Sequence, residues 1–169
     1  MKTLLIMRHG KAQPDAPNGD HARDLVDRGR RNAETMGAHI ATEIGKPDAI
    51  LTSDAQRARQ TAEIVATAVG FSEPLTIVPR IYDADLRTLL ALVRSILDEV
   101  DIAILVGHNP GFEALAATLA GVDEDDVRLP TAALAHLEFD VEQWDDARQG
   151  TGRWRGIVTP KALAQDASE

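Results

Sequence analysis

Three short polar clusters in this 169-residue chain hold side chains that can grip an anion and attack it. They are Arg8-His9-Gly10, Ser53-Asp54-Ala55-Gln56-Arg57 and Gly107-His108-Asn109. Each follows an apolar run of a few residues: Thr3 to Met7, Ala49 to Thr52 and Ile102 to Val106. Two imidazoles and two guanidinium groups converging on one cleft suit phosphoryl chemistry. Guanidinium forks match phosphate oxygens in pairs and stay charged at every relevant pH. A neutral imidazole is a competent nucleophile near pH 7, because its reference pKa is about 6.5. Asn109-Pro110 reads as an N-cap followed by a proline at the first helical position, so backbone N–H groups would also face the anion.

Composition removes several alternatives. There is no cysteine, hence no thiol nucleophile and no disulfide framework. Lys and Arg number 18 against 27 Asp and Glu, a formal net charge of -9 that disfavours nucleic acid as a partner. No stretch approaches the roughly 20 apolar residues that span a bilayer, so no membrane association is expected. The N-terminal apolar run is short and ends in Arg8-His9, which reads as a strand rather than a signal peptide. The chain is therefore expected to be a cytoplasmic monomer with one domain, residues 1–160, and a frayed tail, residues 161–169.

The elements that must position the clusters follow from periodicity. Apolar residues at helical spacing predict a helix from about Leu25 to Ile44 through Ala33, Met36, Gly37, Ile40, Ala41 and Ile44. Ser53 to Gln56 has the form of a capping box opening a helix that buries Thr61, Ile64, Val65 and Ala68. A third strand is expected from Leu75 to Val78. A helix from about Asp85 to Val100 would bury Leu86, Leu89, Leu90, Val93, Leu97 and Val100. Another helix should bury Phe112, Leu115, Ala116 and Leu119. Alternation from Ala133 to Val141, answered by Arg153 to Thr159, predicts an antiparallel hairpin. The fold class is α/β: a three-layer α/β/α domain with a mostly parallel six-stranded sheet. Ligands of such sheets bind beyond the carboxyl ends of the strands, where the three clusters lie.

Arg8-His9-Gly10 resembles the RHG signature of the histidine phosphatase superfamily, whose fold is phosphoglycerate mutase-like. Residues 53–61 resemble that family's S-P-x-x-R-A-x-Q-T segment, with Asp54 in place of the proline. Val106-Gly107-His108-Asn109-Pro110 is similar to the second-histidine motif of SixA-like phosphohistidine phosphatases. Asp24 to Gly29 resembles P-L-T-x-R-G without its proline and threonine, and Leu129-Pro130-Thr131-Ala132 also matches that group. The resemblance implies that His9 attacks phosphorus and becomes phosphorylated. It implies that Arg8, Arg57 and His108 stabilise the transferring group, with Gly10 and Asn109 beside the substrate, and that no metal or cofactor is needed. The family's proton donor follows the third strand, which here points first to Asp83 and second to Asp85, itself a plausible N-cap. Larger relatives insert lid helices between the segments that here are Val78 and Ile102. Without them a shallow mouth is expected, suited to phosphohistidine on a protein. A small phosphate ester as substrate, or a non-catalytic phosphate-binding module, are the alternatives.

The remaining polar residues have plainer readings. His39 and His136 read as structural, and His21 as a solvated loop residue. Lys11 and Arg59 read as ion-pair formers. His9, His21 and His108 lack the spacing of a metal site.

Overall fold

The computed structural model describes residues 1–167. Its strands are β1 (Lys2–Arg8), β2 (Ala49–Thr52), β3 (Thr76–Ile77), β4 (Ile102–Gly107), β5 (Leu134–Phe139) and β6 (Arg153–Val158). They form one six-stranded sheet in the order β3-β2-β4-β1-β5-β6. β1, β2, β3 and β4 run parallel, β5 is antiparallel to β1, and β6 is antiparallel to β5. The expected mostly parallel sheet and its C-terminal hairpin are both present.

Strand alternation splits the core into two layers. Leu5 and Met7 of β1, with Ile50, Ile104 and Val106, pack under α1 (Asp27–Glu43) and α2 (Gln56–Val69) through Met36, Ile40, Ala58, Ala62 and Val65. Leu4 and Ile6, with Leu51, Ala103 and Leu105, face α3 (Leu86–Arg94) and α4 (Gly111–Ala120). β1 and β4 therefore bury both faces, which is why their sequences are continuously apolar. No helix among the described residues is long and apolar enough to cross a membrane.

Several local expectations are corrected. α2 starts at Gln56 with Ala55 as its N-cap and no side-chain cap, so Ser53 closes no capping box. Asn109 does not cap α4 either, because the helix begins at Gly111 and the Asn109 amide donates to the Leu129 carbonyl at 2.9 Å. Asp85 does cap α3, accepting from the Thr88 N–H at 2.8 Å. That helix ends at Arg94 instead of near Val100. Ser95 Oγ donates to the Leu92 carbonyl, and the Trp144 indole, wholly buried, donates to the Val100 carbonyl at 2.8 Å. These bonds hold 95–100 in turns, so Ile96 is buried while Leu97 is 71% exposed. Ala41 and Ala68 are also exposed. Residues 161–167, expected to fray, belong to helix α5 (Pro160–Ala167), with Leu163 against the α1–α2 layer. The rest of that tail lies outside the described residues.

The turn after β1 depends on two glycines meeting. A Cβ on Gly29 would come within 2.1 Å of the Lys11 carbonyl oxygen, and one on Gly10 within 2.8 Å of the Gly29 oxygen. Only with both side chains absent can the first turn of α1 lie against the chain leaving His9. The obstacle is backbone on both sides and cannot rotate away. Gly29→Ala is thus expected to destabilise the protein by about 2–3 kcal/mol, as overpacking does. Urea denaturation of the variant against the wild type checks this.

Candidate active site

β1 and β4 pair in parallel with Arg8 opposite Gly107, so the residues that follow, His9 and His108, leave adjacent strands together. The ladder continues one step further, the His9 N–H donating to the Gly107 carbonyl at 3.0 Å. On its other side the His9 carbonyl accepts from the Ala132 N–H at 2.9 Å. The two imidazole centroids end 5.2 Å apart.

His9 is 7% exposed. Its Nδ1 lies 2.8 Å from the Gly10 carbonyl, which can only accept, so Nδ1 carries the proton and Nε2 presents its lone pair as an acceptor. That lone pair faces the Nε–H of Arg57 at 3.3 Å. Burial first, and then the charges of Arg57 and Arg8, push the His9 pKa down to about 4, against the opposing pull of the Gly10 carbonyl. At neutral pH this ring is oriented and uncharged, the state in which an imidazole can act as a nucleophile.

The α2 segment acts as a clamp. Thr61 Oγ accepts from the Gly10 N–H at 3.0 Å and donates to the Arg57 carbonyl at 2.8 Å, tying the turn after β1 to the helix. The Gln60 amide oxygen accepts from the Leu25 N–H at 2.8 Å, and its nitrogen donates to Asp24 at 2.9 Å. Ser53, free of helix capping, places Oγ 2.8 Å from His108 Nε2. Burial first, then the neighbouring His9 and Arg57, lowers the His108 pKa to about 3. Its Nδ1 is buried without a hydrogen-bond partner, as is Arg8 Nε. The far end of Arg8 donates to the Leu129 carbonyl at 3.1 Å, and Leu129 is held through its own N–H by Glu113 at 2.8 Å. Asn109 Oδ1, of the same cavity lining, is also unpaired and is an acceptor, whereas the two nitrogens could donate to an oxyanion.

A cavity of about 240 Å³ opens above His9, lined by Arg8, Lys11, Arg23, Arg57, His108, Asn109 and Thr131. Arg8, His9, Arg57, His108 and Asn109 thus come together as expected, with Gly10 beneath them. Asp83 does not join them. With Asp85 it lines an adjoining cavity of about 300 Å³, which shares His108 and Asn109 with the first. The N-terminus of α4 opens onto that second cavity too, through Pro110 and Gly111. Lys11 is exposed at the mouth, Arg59 is exposed, and His21 pairs with Asp54 at 2.9 Å. No three His, Cys, Asp or Glu side chains among the described residues could hold a metal ion.

Sequence reasoning missed three participants. Asp20, in the loop after β1, meets Arg57 at 3.1 Å, Arg23 at 3.1 Å and the Tyr82 hydroxyl at 2.5 Å. The Tyr82 hydroxyl first, and then the two guanidinium groups, hold the Asp20 carboxyl down to about 2. Arg23 adds a cation to the cradle, and the Tyr82 ring stands edge-on to His108 at 5.5 Å. No periodicity marks a loop, and Arg23 lies near the resembling segment without standing out as a ligand.

Comparison with known proteins gives the same picture. The model of the histidine phosphatase superfamily (branch 1) matches residues 4–94. An uncharacterized protein of Mycobacterium tuberculosis is 32% identical over 164 residues, covering 92% of this chain and 100% of its own. A structure from Agrobacterium tumefaciens, assigned as the phosphohistidine phosphatase SixA, is 30% identical. It superposes with a TM-score of 0.79 over 94% of this chain and 99% of that one. The protein histidine phosphatase SixA complexed with tungstate is 24% identical and shares the fold, with a TM-score of 0.83 over 95% and 99% of the two chains.

Both site histidines should titrate far below 6.5. An NMR titration of the imidazole protons, in buffer free of phosphate, is expected to give midpoints near 4 for His9 and near 3 for His108. Between those values and 6.5 the unfolded chain binds more protons than the folded one. Their contribution to stability is therefore whole above about pH 6.5 and shrinks as pH falls. Midpoints near 6.5 would mean that the rings are solvated.

Proposed function

This chain belongs to the histidine phosphatase superfamily, branch 1, and we propose that it is a phosphatase hydrolysing phosphohistidine carried on a protein. His9 Nε2 attacks phosphorus while the bond from phosphorus to the leaving nitrogen breaks, and that electron pair departs with the leaving imidazole. Water then attacks the phosphorylated His9, releasing inorganic phosphate and restoring the neutral ring. Arg8, Arg57 and His108 surround the equatorial oxygens. Their value lies in charge placed where it develops, without rearrangement at the moment of transfer. The guanidinium and imidazole groups supply what a metal ion supplies elsewhere.

One observation supports the substrate class above the others. Among the described residues, those lining the cavity over His9 include four cationic side chains and no carboxylic acid. A leaving alkoxide needs a proton at the moment of departure, which a general acid supplies at 10²–10⁴-fold benefit. A phosphorylated imidazole can take its proton from water on the remote ring nitrogen beforehand, so it leaves neutral with no enzymic acid. The mouth agrees with this, because only one helical turn (Pro79–Ile81) and α3 lie between β3 and β4. A protein side chain can reach in where no lid is folded over.

The second reading, a phosphomonoesterase for small esters, rests on Asp83. Its backbone adopts the left-handed conformation (φ 53°), and it lines the cavity that His108 shares. An ester whose alcohol occupied that cavity would bring its leaving oxygen toward the carboxyl.

Turnover of a phosphohistidine protein, an aryl phosphate and a panel of sugar phosphates separates the readings, with the first expected to exceed the last by orders of magnitude. His9→Ala is expected to abolish turnover, and with it the acid-labile phosphoenzyme trapped by rapid quench in the wild type. A label persisting in the variant would remove His9 as nucleophile.

Asp83→Asn is expected to slow alkyl phosphate hydrolysis by roughly 10²-fold while sparing phosphohistidine and an activated aryl phosphate. Equal slowing of all three would assign Asp83 a structural part in its turn, and no effect on any would pass the acid role to Asp85.

A further inference from the structure

Arg57 carries five N–H donors in one plane, and Asp20 binds one end of that plane. Nη1 donates to the Asp20 backbone carbonyl at 2.8 Å and Nη2 to its carboxylate at 3.1 Å. The Nε–H, on the other edge, points at His9 Nε2. In a planar guanidinium the Nε–H and one Nη2–H project in the same direction, so this edge stays open toward the nucleophile. The other carboxylate oxygen of Asp20 accepts from Arg23 Nε, and the Tyr82 hydroxyl donates to the carboxylate from across the mouth. Arg57 is 5% exposed, whereas the Asp20 side chain is half exposed.

We propose that Asp20 is a positioning residue: it holds the outer edges of Arg57 and Arg23 so that their remaining donors converge on the phosphoryl group above His9. The proposal rests on the cradle described for phosphate binding, and names a residue that acts on it from behind. Without Asp20, Arg57 regains rotamer freedom, and the anion must itself order the guanidinium on binding. Tyr82 and the paired backbone at the foot of the loop, where Ala12 bridges Leu25, fix Asp20 in turn.

The competing role has the opposite sign. A carboxylate this near an anion site repels the ligand and occupies donors that it could use. Deleting it should then tighten anion binding by simple Coulomb relief. Positioning predicts loosening.

The test is calorimetric titration of inorganic phosphate into the wild type, Asp20→Ala, Arg57→Ala and the double variant, each checked for folding by circular dichroism. Asp20→Ala is expected to weaken phosphate about tenfold in the wild-type background. In the Arg57→Ala background it should have little further effect, because its main lever is gone. Asp20→Asn, which keeps shape and one acceptor, should fall between the two and covers the case of an alanine variant that does not fold. Tighter or unchanged binding by Asp20→Ala overturns the proposal, as does an equal loss in both backgrounds. A wild type that does not bind phosphate overturns it together with the cradle. A wild type that binds phosphate as expected but hydrolyses no phosphohistidine leaves the positioning role standing and removes only the proposed substrate.

Discussion

Everything at the site depends on the parallel pairing of β4 with both β1 and β2. The registers set Arg8 opposite Gly107 and Thr52 opposite Val106, so three strands end on one line. The residues just past those ends continue the pairing: the N–H groups of His9 and Ser53 donate to the carbonyls of Gly107 and Val106, each at 3.0 Å. Neighbouring strands lie about 4.8 Å apart, which sets how close two side chains leaving them can come. The 5.2 Å between the imidazole centroids is that spacing expressed in side chains. A slip of one residue in either pairing would part His9 from its neighbours at the strand ends, and the core on both faces resists such a slip.

A chain with net charge -9 concentrates cations at one point, and the structure shows how that is tolerated. The imidazoles add no charge, because burial keeps both neutral at physiological pH. Each arginine gives part of its donor set to the protein: Arg8 to the Leu129 carbonyl, Arg57 to the Asp20 carbonyl and carboxylate. Glu113 faces the Arg8 charge while holding the Leu129 backbone. Both arginines line the cavity above His9.

The mouth is divided between two chemistries. Over His9 the walls are guanidinium, ammonium, imidazole and amide groups; beyond His108 they turn acidic and apolar, with Asp83, Asp85, Ile81 and Leu89. Asp85 is already committed as the cap of α3, accepting from the Thr88 N–H. The short chain path between β3 and β4 leaves no room for a covering domain. From that path Tyr82 reaches the His9 side, through its ring against His108 and its hydroxyl on Asp20.

The apolar runs, their lengths and the polar residues closing them were enough to determine β1, β2 and β4 and to put Arg8, His9, Arg57 and His108 at one end of a sheet. Such information is local, because a strand buried on both faces must be apolar throughout and a cluster at its end must emerge beside its neighbours. What the sequence could not determine depended on partners distant along the chain. Ser53 has the composition of a helix cap, yet its hydroxyl lies against His108, 55 residues away. The helical period running to Val100 ends at Arg94 because Trp144, brought in by the β5–β6 connection, draws the Val100 carbonyl aside. Asp83 stands in the right segment for an acid but faces the neighbouring cavity, since a left-handed turn decides its direction. Asp20 carried no pattern at all. A loop residue acquires a role only when folding sets it against a buried charge, and that contact exists nowhere but in the tertiary structure.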